Sequence, residues 1–333
     1  MKRYLLVGVD TEGDNQWSAD SRRHQTFENI YALPSLHRLF QQQRARPTYL
    51  ITHPVAADLK SAAVLRELLQ GRDCEIGAHH HTWETPPCSR EDIERHAYAL
   101  SLGEAQFAAQ VASLTSAIER AVGEAPVSYR SGRFGFSARH VPTLERAGYR
   151  VESSVAPLFY EGHKRGPDFV GAPAAPYFLS YKDATRAGSS NLLEIPVSAG
   201  LSRRVPAFVE HWYARAPRPY TTKRILRKLG IVRVRWLRPS YSSLADMRAL
   251  ARGLGADGVP VLNVIFHSSE IIVGGSPYNR SEAELHAFFD RLRGFLEYAR
   301  TELGATPVTF SEFRVLFSET QGVPPSAVGT GAA

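Results

Sequence analysis

Five polar clusters, far apart in the chain, carry side chains that can move protons or ligate a cation. They are Asp10-Thr11-Glu12, His79-His80-His81, Arg130 to Arg133, Glu152-Ser153-Ser154 and His267-Ser268-Ser269-Glu270. Asp10 and Glu12 are two apart, so in an extended segment both carboxylates reach the same side. Crowded carboxylates raise one pKa unless a cation intervenes, and a divalent metal would supply that charge. A solvated turn accounts for the same residues equally well, since Asp14 and Asn15 follow. His79 and His81 share one face of a strand end and His80 points away. Two imidazoles and one carboxylate, with positions left for water, form a recurring ligand set for catalytic zinc and related ions. His80 stands as an outside candidate ligand. Cys74 and Cys88 flank the cluster without metal-type spacing, and Cys74 reads as a buried thiol.

Each cluster follows a strand-like apolar run. Such runs are expected at Arg3 to Val9, Pro47 to Thr52, Glu75 to Ala78, Val127 to Arg130, Arg150 to Ser153, Leu192 to Val197, Val259 to Phe266 and Pro307 to Phe310. Helical spacing falls between them, in Phe27 to Gln43 (with Pro34 as a break point), Ala56 to Gln70, Glu104 to Val122, Arg139 to Ala147 and Glu282 to Leu303. The alternation predicts βα units and a parallel sheet or barrel. In such folds the carboxyl ends of the strands share one face, where the five clusters would converge.

The 333 residues are 43% hydrophobic and 22% charged, which argues against a fibrous or wholly disordered chain. No apolar run approaches the ~20 residues of a membrane-spanning helix. The apolar run before Asp10 is too short for a signal-peptide core of ~7–15 residues and reads as a buried strand. Two cysteines without framework spacing fit a reducing compartment, so a cytoplasmic location is expected. The net charge of +7 is concentrated: Leu201 to Ser240 holds eleven basic residues against Glu210 alone, a local +10, which leaves −3 for the rest. Apolar residues interleave with these arginines. The segment 203–238 is therefore open to three readings: a solvated face, a surface for anionic membrane, or a clamp on a phosphorylated carrier. Nucleic acid ranks last, because no binding motif is recognised. One catalytic domain is expected over 1–318, with a basic, loop-rich insertion at about 156–240 and a disordered tail at 319–333.

These segments together resemble the NodB-homology polysaccharide deacetylases (carbohydrate esterase family four), and within them the WalW-like group. Asp10-Thr11-Glu12-Gly13 resembles the first family motif, Glu75 to Trp83 the second and Tyr129 to Gly135 the third. Val151 to Pro157 is similar to a variant fourth motif, and Phe266 to Glu270, followed by Gly274 to Tyr278, to the fifth. The departures are an Asp-x-Glu pair where the family commonly has adjacent acids, Trp83 where its second histidine commonly stands, and Glu152 for aspartate.

The resemblance implies a distorted (β/α) barrel and a metal-dependent amidohydrolase. Its divalent ion, zinc first, would be held by Glu12, His79 and His81. Asp10 would be the base, Arg130 its partner and His267 the general acid. Backbone N–H groups near Arg133 and Phe134 would hold the oxyanion, with Glu152 and Tyr278 among the residues touching substrate. The implied reaction removes acetyl or formyl from an amino sugar of a polysaccharide, glycolipid or lipid- or nucleotide-linked precursor, at the inner face of the membrane or in the cytoplasm. The alternatives are deacylation of another N-acyl small molecule and a non-catalytic carbohydrate-binding role.

Overall fold

The computed structural model describes residues 2–89, 96–216 and 233–322. Its strands are β1 (Tyr4–Thr11), β2 (Pro47–Ile51), β3 (Glu75–His80), β4 (Ser128–Ser131), β5 (Val151–Glu152), β6 (Tyr177–Phe178), β7 (Leu193–Glu194), β8 (Ala199–Leu201), β9 (Val234–Trp236), β10 (Val261–His267) and β11 (Thr306–Pro307). The main sheet runs β10-β1-β2-β3-β4-β5-β7-β6, with β11 beside the start of β1. Every neighbouring pair is parallel except β6 and β7. Helices separate most of the parallel strands, as right-handed crossovers demand. The sheet curls into the expected α/β barrel. Irregular backbone spans its gap: Ser198 bonds to the Asn263 carbonyl, and Ile265 of β10 bonds to Leu237.

The two faces of β1 show how this positions the site. Leu5, Val7 and Val9 pack outward on the core shared with the helices, whereas Tyr4 and Leu6 pack inward with Val308, Phe310 and Phe313. The inward face continues through Gly8 to Asp10. The barrel is thus filled at one end by the last helix, Phe310–Gln321, and presents its polar residues at the other.

Several boundaries differ from the sequence reading for local reasons. The helical stretch around Pro34 is two helices, Glu28–Tyr31 and Leu33–Gln42, with Pro34 tolerated in the first turn of the second. Pro307 to Phe310 is not one strand. Thr309 and Glu312 form a capping box, so Phe310 opens a helix. The helix Leu244–Ala256, capped by the Ser243 side chain, and the ribbon of β8 and β9 were not read from the sequence. Most of the expected tail lies outside the described residues. Among them, no helix is long and apolar enough to cross a membrane.

Candidate active site

The strand ends bring the clusters together. Parallel register sets Asp10 of β1 beside His267 of β10, and His79 of β3 beside Arg130 of β4. The Glu12 Oε2 atom lies 2.8 Å from His81 Nε2 and 3.9 Å from His79 Nε2. His267 Nε2 stands 3.9 Å from Asp10 Oδ2 and 3.8 Å from Glu12 Oε1. Asp10, Glu12, His79 and His81 are all buried. The loop after β1 is pinned by Asp14, which accepts from the backbone of Glu28 and Asn29, and by Asn29, which donates to the Glu12 carbonyl.

Arg130 is fully buried and donates to Asp10 Oδ1 at 2.6 Å. Its other contacts are the Ser153 carbonyl at 2.7 Å and hydroxyl at 2.9 Å. It passes beneath Gly8, where a Cβ would sit 2.7 Å from the guanidinium, so only glycine leaves it a path to Asp10. Burial alone would push the Asp10 carboxyl up. The Arg130 charge, the charges that His79 and His267 carry in the acid range, and the Arg130 hydrogen bond outweigh it and hold the group down at about 2.

Glu12, His79 and His81 offer three ligand atoms within 4.8 Å of one another. Burial holds His79 down at about 4, and burial with the Arg133 charge holds His81 at about 3, so both imidazoles are neutral, as a ligand must be. Their Nδ1 atoms are buried with no hydrogen-bond partner among the described residues. The atoms turned toward Glu12 are the Nε2 nitrogens, so an ion would be held by these two atoms and the Glu12 carboxylate, from which they lie 3.9 Å (His79) and 2.8 Å (His81) away. The donor set fits a divalent ion. His80 does not join it: its Nε2 lies 2.8 Å from Gln110 Oε1 and its Nδ1 3.0 Å from the Tyr129 hydroxyl, on the helix side of β3.

Two residues to which the sequence reading gave no role beside His267 complete its surroundings. Glu270 lies 2.9 Å from His267 Nδ1 and also accepts from the His267 backbone N–H. Arg238 donates to Glu270 at 2.5 Å. Burial would lower the His267 pKa, but Glu12, the Glu270 hydrogen bond and Asp10 outweigh burial and Arg238, and the imidazole is raised. The signal for Glu270 was its place three residues past a strand-end histidine. Arg238 had none, because its segment read as a solvated or membrane-facing patch.

Trp17 packs edge-on against His267 (4.9 Å) and Tyr278 (5.6 Å), and Tyr278 shares a 3.0 Å hydroxyl contact with Tyr241. Phe134 lies against Phe159 and Trp236, and exposed Arg133 stacks 4.6 Å over Trp83. Glu152, expected at the substrate, is instead fully buried: its carboxylate accepts from Ser154 and sits beside Glu194 on the neighbouring strand. The basic segment is also less bare than its sequence. Arg204 pairs with Asp257, Arg215 with Asp168, Arg233 and Arg235 with Asp246, and Arg238 with Glu270. Arg218, Lys223, Arg224, Arg227 and Lys228 lie outside the described residues.

No protein-family model and no curated protein matches the chain. Its likeness is to solved structures. A Parabacteroides distasonis protein provisionally described as a glycoside hydrolase/deacetylase aligns with a TM-score of 0.63 at 14% identity, over 96% of this chain and 71% of that one. A Mycobacterium smegmatis protein provisionally described as a polysaccharide deacetylase gives 0.54 at 15%, over 100% and 96%. A GH57-type branching enzyme of Pyrococcus horikoshii gives 0.55 at 13%, over 95% and 71%. The chain has the α/β barrel fold of NodB-type polysaccharide deacetylases. A branching enzyme shares that architecture, so the fold leaves the choice of bond to the site residues.

Proposed function

We propose that the protein is a metal-dependent hydrolase that removes an N-acyl group, acetyl or formyl, from an amino sugar, as its WalW-like motifs suggest. The observation that carries this reading is one site holding three neutral or anionic ligand donors, a separate ionised carboxylate and a histidine raised toward its protonated form. A sugar-binding protein needs no such separation of base from acid. A glycosidase would use two carboxyl groups across the scissile bond, whereas here Asp10 is bound to Arg130 and Glu12 to His81.

A divalent ion, zinc first, held by Glu12, His79 and His81 would polarise the acyl oxygen and make water acidic enough for a weak base to deprotonate. Asp10, ionised throughout the neutral range, accepts the proton. Arg130 fixes its direction and cannot itself give a proton away. Glu270 holds His267 through Nδ1, so Nε2 faces the carboxylates and is the atom that protonates the departing amine. Trp17, Tyr278 and Phe134 supply apolar faces of the kind sugar rings stack on. Acetate release from a chitooligosaccharide and from a nucleotide-linked N-acetylhexosamine, with zinc and with chelator, tests the reading. Release that depends on the ion and is lost in Asp10→Asn supports it; chelator-insensitive release, or none from either substrate, sinks it.

A further inference from the structure

We infer that Ser153 and Asn263 are positioning residues for Asp10, the proposed base: Asn263 fixes the Ser153 hydroxyl, and Ser153 turns Arg130 so that one N–H points at Asp10. This goes beyond the hydrolase reading in the residues it assigns and rests on that reading for the rates it predicts. Asn263 lies mid-strand in β10, opposite Leu6 of β1. Its neighbours Leu262 and Val264 pack outward, whereas Val261 and Ile265 pack inward. Alternation therefore aims Asn263 into the barrel, where it is fully buried in a row of apolar residues. Its Oδ1 atom has no partner among the described residues. An aliphatic side chain would avoid that cost, so the amide needs a reason beyond filling space.

The reason lies in Nδ2. It donates to the Ser153 hydroxyl at 3.1 Å and to the carbonyls of Ile195 at 3.1 Å and Pro196 at 3.2 Å. The Ser153 hydroxyl has one proton, which goes to the Ile195 carbonyl at 2.7 Å. Lone pairs are all that remain for Arg130, and Asn263 occupies one of them. Ser153 thus offers two acceptors to one edge of the guanidinium, its carbonyl 2.7 Å from Nε and its hydroxyl 2.9 Å from Nη2. Both are neutral, so this clamp sets the plane of the cation and leaves its ion pair to Asp10, 2.6 Å from Nη1. The same residue closes the barrel. Its backbone N–H donates to the Ser198 hydroxyl at 2.9 Å, and the carbonyls it holds belong to the irregular backbone across the gap. Closure of the barrel and the direction of the base therefore depend on one side chain.

The test has an exchange arm, which needs no substrate, and a kinetic arm. In proton–nitrogen spectra of the full chain, the Arg130 Nε–H resonance is assigned by its loss in Arg130→Lys. In the unaltered protein it should exchange with solvent more slowly than the exposed arginines. Exchange should quicken at least tenfold in Ser153→Ala and in the volume-matched Asn263→Leu. Fast exchange in the unaltered protein, or unchanged exchange in either variant, overturns the proposal. In the kinetic arm, kcat for acetate release should fall at least tenfold in each variant, with KM and metal content held within twofold. The double variant should be no slower than Ser153→Ala, because Asn263 acts through that hydroxyl. Losses that multiply, or that fall on KM alone, overturn it. If the unaltered protein releases no acetate while Arg130 exchange still depends on both residues, the hydrolase reading fails and the positioning network stands.

Discussion

Among the described residues, two clusters hold three potential ligands each, and they differ in what their polar atoms have left to do. At the carboxyl end, Glu12, His79 and His81 converge, and His79 Nε2, the atom turned toward Glu12, stands 3.9 Å from its carboxylate, beyond hydrogen-bond reach. At the other end, His37, Asp73 and Cys74 are just as close together. There, however, His37 Nδ1 meets the Tyr49 hydroxyl at 3.1 Å and Nε2 meets Asp73 at 3.0 Å. Gln41 donates to the remaining Asp73 oxygen, and the Cys74 thiol donates to the Leu68 carbonyl. Burial, with the Asp73 charge, pushes Cys74 up to about 12, so it stays a thiol and a poor ligand. Proximity of ligand types is common to both; unfinished hydrogen bonding distinguishes the one that can accept an ion.

The largest expected effect breaks or sharpens this contrast directly. Purified protein should carry or take up about one divalent ion per chain, measured by elemental analysis. His79→Ala or His81→Ala should abolish it, while His80→Ala and Cys74→Ser leave it near one. Loss of the ion in Cys74→Ser would show that the wrong cluster was chosen.

Next comes the division of labour inside the first cluster. Asp10→Asn should keep the ion and lose at least ~10² in rate, the scale of general-base catalysis. Glu12→Gln should lose affinity for the ion first and rate as a consequence. The reverse pattern in paired metal titrations and rates would exchange the two assignments.

A smaller effect follows from the Arg130 pair. Asp10 has its pKa lowered from 3.8 to about 2, so it contributes stability above pH 3.8 that disappears as pH falls through about 2. The gain is about 2 kcal/mol at neutral pH. In chelator, the unfolding free energies of the unaltered protein and Asp10→Asn should therefore converge between pH 5 and pH 2. Curves that stay parallel would mean that the pair does not hold the carboxyl down. Smallest is a difference in thiol reactivity: Cys88 is exposed and Cys74 buried, so a thiol reagent should modify one cysteine in the native protein and both in denaturant.

The site was legible in the sequence where a strand end positions it. Asp10, Glu12, His79, His81, Arg130 and His267 all sit at or just past β1, β3, β4 and β10, and two-residue alternation was enough to separate His80 from its neighbours. What escaped came from pairings between distant segments. Glu152 looked available for substrate because nothing local says that Glu194 adjoins it across β5 and β7. The +10 segment looked bare because Asp168, Asp246, Asp257 and Glu270 are remote in sequence and reach its arginines only in the folded chain.

Arg238 gives that last pairing a further meaning. The irregular middle of the chain ends in an arginine that braces Glu270, and Glu270 in turn orients His267. Variation in this region cannot be free, because any rearrangement that withdraws Arg238 also loosens His267, the proposed proton donor. Recombining the barrel with the middle region of a relative would then give a folded but slow hybrid unless the incoming segment delivers a cation to the same carboxylate. Selectivity and turnover in this protein would have to change together.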